Sequence, residues 1–192
     1  MENSQSFADF NDASDENALN SERQKAKVDD SKLKEFFIEE LKDIFWAENQ
    51  LIQSLPMMKD AATSPELQAA LEEHKNTTQT HVSRLRNIFE MLAEQPQGKI
   101  CEAIEGLTKE AESIIDSTEV GTATRDVGLI LAAQKIEHYE IATYGGLAQL
   151  ARTLGFMEVA TQLDITLEEE KNADHLLTTI AESHVNYQAR AE

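Results

Sequence analysis

Four stretches of this chain place apolar side chains at alternating spacings of three and four, the pattern that keeps one stripe on one face of a helix. The first stripe reads Phe37, Leu41, Ile44, Glu48, Leu51, Leu55, Met58, Ala62, and the second Leu67, Leu71, His74, Thr78, His81, Leu85, Ile88, Leu92. The third reads Val127, Ile130, Gln134, Glu137, Ile141, Tyr144, Ala148, Ala151, and the fourth Leu163, Leu167, Glu170, Asp174, Leu177, Ala181. Each stripe is apolar at its ends and polar in its middle. Helices of this kind bury their stripes by packing side by side, so an all-α fold is expected. Seven Gly and three Pro in 192 residues leave little to interrupt long helices.

The punctuation fixes the helix ends. A helix is expected from the Asp30-Ser31 cap to about Ala62, bent but not ended by Pro56. Thr63-Ser64-Pro65-Glu66 opens a second, with a capping hydroxyl, Pro at the first helical position and an early acid, running to about Gln95. A shorter helix from about Ile100 to Asp116 occupies the connection. A third long helix follows from about Arg125 to Leu154, closed by Gly155, and a fourth runs from about Met157 to His184. Four long helices with a helical crossover between the second and third make a ferritin-like four-helix bundle, where a simple up-down bundle would have short loops throughout. The bundle is assigned to residues 31–186. Residues 1–30, rich in Asn, Asp, Ser and Glu, are expected to form a disordered acidic tail in which Phe7 and Phe10 could dock an unknown protein partner.

The polar interruptions carry the chemistry. An isolated ionised carboxylate on an inner helix face costs several kcal/mol unless something pairs with it. Glu48, Glu137, Glu170 and Asp174 would bring four such groups to one level of the core, with His74 and His81 beside them. Two divalent metal ions would neutralise that set and occupy its oxygen and imidazole lone pairs. Tyr144 and Gln134 are placed as hydrogen-bonding neighbours, and Glu140 is left open between ligand and solvated surface. Trp46, His138, His175 and His184 fall off the stripes or at a frayed end. The runs Leu71-Glu72-Glu73-His74-Lys75-Asn76 and Leu167-Glu168-Glu169-Glu170-Lys171-Asn172 correspond, setting His74 in register with Glu170.

The formal net charge is −19, from 36 acidic and 17 basic side chains, which argues against nucleic acid or an anionic membrane as a partner. No apolar run approaches the ~20 residues of a membrane span. The first residues lack the basic and apolar regions of a secretory signal, and a cytoplasmic location is expected. Cys101 stands alone, so no intramolecular disulfide forms, and a buried, inert thiol is expected.

Asp43-Ile44-Phe45-Trp46-Ala47-Glu48-Asn49-Gln50-Leu51, Ala62-Thr63-Ser64-Pro65-Glu66-Leu67, Ala132-Ala133-Gln134-Lys135-Ile136-Glu137-His138-Tyr139-Glu140-Ile141-Ala142 and Thr166-Leu167-Glu168-Glu169-Glu170-Lys171 resemble the YciE/YciF family of ferritin-like bacterial proteins. The resemblance spans about residues 33–182. It implies a fold similar to rubrerythrin and manganese catalase, a homodimer, a role in stress responses, and a centre of two iron or manganese ions. Glu48, Glu137 and Glu170 match the family's acidic core positions. The family usually has acids just after the helix-two histidine, where this chain has Asn76 and Thr77, and neither helix two nor helix four contains Glu-x-x-His.

The leading expectation is therefore a redox protein that decomposes peroxide or oxidises Fe(II), with Glu48, His74, His81, Glu137, Glu170 and Asp174 as metal ligands and Tyr144 as a radical relay. The alternative is a non-enzymatic dimeric stress protein with a degenerate site. An iron-storage shell or DNA-protecting assembly is disfavoured, since no basic tail is present.

Overall fold

Helical structure begins at Ser31, whose hydroxyl accepts the Lys34 amide at 3.1 Å and so satisfies a donor that the first turn leaves unpaired. The structure is a computed structural model that describes residues 31–192; the tail assigned to 1–30, with Phe7 and Phe10, lies outside the described residues. Helix α1 spans Lys32–Ala61, α2 Pro65–Met91, α3 Glu102–Ser117, α4 Ala123–Thr153 and α5 Met157–Ile180. A π-helical turn, Ala181–Val185, and a last short helix α6, Asn186–Ala189, continue α5 past its expected end near His184. No strand occurs among the described residues.

The long helices touch in a closed ring, α1 on α2, α2 on α5, α5 on α4 and α4 on α1, while α3 covers α4 and α1 from outside. The α1 and α2 stripes are buried along their whole length. Helix α4 differs because α3 covers a second side of it, so Leu129, Ala133, Ile136 and Glu140 are buried as well as Ile130, Glu137 and Tyr144. The approach is tight: a Cβ at Gly128 would lie 2.6 Å from Ile114 Cγ2. Helix α1 continues through Pro56 as expected.

Corners are held by side chains the stripes do not reveal. The buried Asp126 carboxylate accepts the Thr63 and Ser64 amides, each at 2.7 Å, fastening α4 to the start of α2. Glu192 accepts the Ala123 and Thr124 amides at 2.7 and 3.0 Å, capping α4 from the far end of the chain. Gly155 adopts φ +81° and closes α4 as its sequence position implied.

Helix α2 ends at Met91, short of the expected Gln95, because Ala93 turns left-handed at φ 55°. The Glu94 amide donates to the Phe89 carbonyl at 2.9 Å and the Ala93 amide to that of Glu90 at 3.0 Å. This is a Schellman closure with a Cβ where glycine is favoured. Ala93→Gly is expected to stabilise the protein by about 0.5–1 kcal/mol, read as a higher urea midpoint at unchanged slope.

Candidate metal centre

Six side chains from four helices meet in the interior. Helix α1 delivers Glu48, α2 delivers His74 and His81 two turns apart, α4 delivers Glu137 and Glu140 one turn apart, and α5 delivers Glu170. Glu48, His81, Glu140 and Glu170 are fully buried, Glu137 is 2% exposed and His74 9%. They form two groups that share Glu170: His74, Glu137, Glu140 and Glu170 in one, Glu48, His81 and Glu170 in the other.

Within each group the candidate ligand atoms lie within 4.8 Å of one another. Donors on opposite sides of an ion with bonds near 2.1 Å would be about 4.2 Å apart, so small side-chain adjustments would close either group on a cation. His81 Nδ1 lies 3.0 Å from Glu170 Oε1 and 3.4 Å from Glu48 Oε1. His74 Nε2 lies 3.4 Å from Glu137 Oε1, and its Nδ1 3.9 Å from Glu170 Oε2. Among the described residues, every buried side-chain nitrogen or oxygen without a hydrogen-bond partner belongs to these six residues. Both oxygens of Glu140 and both of Glu170 are in that set. Orphaned polar atoms of this kind are rare in folded proteins and costly, and their confinement to one cluster of carboxylates and imidazoles fits a cation-binding site.

The electrostatics follow from burial and crowding. Burial, then the neighbouring Glu170, push the Glu137 carboxyl well above its ordinary range, and burial with Glu170 and Glu48 does the same to Glu140. Burial also raises Glu48, against the opposing pull of His81. Burial lowers His74. For His81 burial again acts downward, but Glu170 and Glu48 outweigh it and hold the imidazolium up to about 10. A cation binding through His81 must therefore displace the proton that the imidazole holds at neutral pH.

The surroundings orient these groups. Glu169 accepts from Arg84 Nη1 at 2.7 Å and Nη2 at 3.2 Å, and it sits 3.0 Å from His81 Nε2. This carboxylate fixes the imidazole with Nδ1 toward the cluster, the arrangement common behind ligating histidines. Sequence reasoning missed the pair because Glu169 lies beside the α5 stripe; Arg84, one turn after His81 on α2, was the available signal. The Tyr144 hydroxyl donates to Glu48 Oε1 and is fully buried, and burial raises its pKa.

Of the residues expected as ligands, Glu48, His74, His81, Glu137 and Glu170 are brought together. Asp174 lies outside both groups: it is part-exposed, accepts from Gln134 at 3.1 Å, and has His138 Nε2 at 3.3 Å. Glu140, left open by the sequence, is instead inside the cluster because α3 buries that flank of α4. Asn76 is exposed, so an acid there would point away from the cluster, while Thr77 lines a cleft leading to it. Cys101 is buried as expected, with Sγ 3.0 Å from the Tyr139 hydroxyl, which in turn donates to Asp43 at 2.8 Å.

Residues 32–190 match a family described as a domain of unknown function, DUF892. The chain belongs to this family. Within DUF892 relatives, protein YciF of Escherichia coli strain K12 is 40% identical over 158 residues, covering 82% of this chain and 95% of that protein. The crystal structure of the E. coli stress protein YciF superposes with a TM-score of 0.77 at 40% identity, over 81% of this chain and 98% of that one. YcfI of Rhodopseudomonas palustris, put forward as a structural protein, gives a TM-score of 0.75 at 36% identity, over 78% of this chain and 94% of that one. A Xanthomonas campestris protein at 22% identity shares the fold, with a TM-score of 0.63. The resemblance read from the Gln-Lys-Ile-Glu-His-Tyr-Glu stretch and its companions therefore holds across nearly the whole helical region.

Proposed function

We propose that this chain is a ferritin-like four-helix bundle whose core holds two divalent metal ions, iron or manganese, and that it acts as a redox protein in stress responses. The observation that carries this reading is that, among the described residues, the orphaned buried polar side-chain atoms are confined to six residues with metal-binding chemistry. Their inventory adds support. Di-metal carboxylate bundles use a Glu from each of two helices and a Glu-x-x-His from each of the other two. Here the same four carboxylates and two imidazoles are dealt out differently, as Glu-x-x-Glu on α4 and paired histidines on α2.

Glu170, common to both groups, is the carboxylate that would serve both ions. Bound iron or manganese supplies the electron-transfer capacity that side chains lack, which suits peroxide decomposition or oxidation of Fe(II) as substrate. Glu169 and Arg84 hold the His81 ring, Leu51, Leu85 and Ile136 exclude water from the core, and Tyr144 provides an oxidisable phenol against Glu48. No helix among the described residues is long and apolar enough to cross a membrane. A cytoplasmic location and a homodimer belong to the same proposal, the latter checked by light scattering.

A second reading, a non-enzymatic dimeric stress protein with a degenerate site, is favoured by the absence of an inward carboxylate on α2 and by the likeness to YcfI. Metal analysis of protein purified without chelator from iron- and manganese-supplemented cells separates the two. About two Fe or Mn per chain, lost together in Glu137→Ala, supports chemistry; content under about a tenth of an equivalent supports the scaffold.

A further inference from the structure

Between α2 and α5 a cleft of about 210 Å³ runs from the surface to the cluster. Its walls are Ala70, Leu71, Ala173, Leu176 and Leu177, and its floor is formed by His74 and Glu137. Leu176 lines the cleft while remaining 40% exposed. At the floor, His74 Nε2 and Glu137 Oε2 are both buried and lack hydrogen-bond partners.

Neither peroxide nor a hydrated metal ion calls for such a passage. A small polar oxidant needs far less room, and the Ala70, Leu71, Ala173, Leu176 and Leu177 side of the passage contributes nothing to holding an ion, although Thr77 and Asn172 offer polar contacts beside it. The volume exceeds the ~150 Å³ of an apolar cavity that accommodates benzene. The charge of the mouth narrows the choice further. Glu73 and Glu169 flank it on a chain of net charge −19, so an anionic organic molecule is repelled. A hydroxyl both donates and accepts, so it can pair with either of these atoms in the metal-free protein and would present its oxygen to an ion they hold in the loaded one.

We propose that this cleft binds a small uncharged organic molecule, an apolar body of roughly six to ten non-hydrogen atoms bearing one hydroxyl that is directed at His74 and Glu137. The binding step stands on the cleft itself; that the bound molecule is a substrate of the centre rests on the two-metal reading.

The test uses the full chain and the straight-chain alcohols from ethanol to hexanol as probes, followed by methyl NMR. Affinity should rise about threefold to fourfold per methylene, and the methyl resonances of Leu71, Leu176 and Leu177 should shift together and saturate. Ala173→Phe should weaken hexanol at least tenfold. In protein loaded with Mn(II), relaxation should broaden the hexanol protons next to the hydroxyl more than the terminal methyl. Absence of chain-length dependence, or shifts scattered over the surface, would overturn the proposal. So would hexanol affinity that falls as protein concentration rises, which would assign the cleft to a second copy of the chain. Failure of manganese to load, with hexanol still binding the metal-free protein at these leucines, would remove the two-metal reading and leave the cleft's occupant standing.

Discussion

Glu140→Met is expected to make the metal-free protein more stable and, at the same time, less able to hold metal. Both Glu140 oxygens are buried without partners, and Glu170 and Glu48 repel whatever charge it carries. An apolar side chain of similar volume removes the cost of burying those unpartnered oxygens, about 1–3 kcal/mol. The melting temperature of chelator-treated protein should rise. Meanwhile the His74, Glu137, Glu140 and Glu170 group loses a donor, so metal content after loading should fall from about two per chain toward one. Calorimetry and elemental analysis on the same preparations read both quantities. A purely structural Glu140 would give the opposite sign in calorimetry, because its removal would then delete a favourable contact.

The second large effect is in pH. The folded His81 holds its proton up to about 10, against 6.5 when unfolded, so its stabilising contribution is complete below pH 6.5 and is lost as pH rises toward 10. Each pH unit in that window costs about 1.4 kcal/mol, on the order of 5 kcal/mol across it. The raised Glu137 and Glu140 act in the same direction from 4.5 upward, since the unfolded chain sheds protons that the folded chain retains. His74 acts oppositely, its contribution being lost as pH falls below 6.5. Metal-free protein should therefore lose stability steeply on the alkaline side. His81→Gln should flatten that slope, and saturating Mn(II), which takes the place of the displaced protons, should offset it by about 4 kcal/mol at a thousandfold excess over the dissociation constant. A metal-free unfolding free energy that stays level between pH 6.5 and 9 would contradict the electrostatic description of the cluster.

The helices were legible because their signals are local. Ser31, Ser64-Pro65 and Gly155 mark ends through backbone rules that act within a few residues, and they stand where those rules put them. The end of α2 was not legible, since Ala93 occupies a left-handed position that sequence rules reserve for glycine. Stripe analysis found Glu48, His74, His81, Glu137 and Glu170 because polar residues at core spacing stand out. It left Glu140 open because one stripe per helix is assumed, and α4 is buried on a second side by α3. Asp174 kept the stripe's spacing near the end of α5, yet its carboxylate turns to Gln134 and His138. Asp126 and Glu192 were invisible for a different reason: each caps a helix remote in sequence, and no local pattern encodes that pairing.

Anomalous diffraction at the manganese edge, from crystals of the full chain grown with Mn(II), addresses the centre most directly. Two strong peaks are expected, both within bonding distance of Glu170, one also touching Glu48 and His81 and the other His74, Glu137 and Glu140. Peaks confined to surface carboxylates, with only water density among these six side chains, would leave the helical architecture intact and contradict the metal centre.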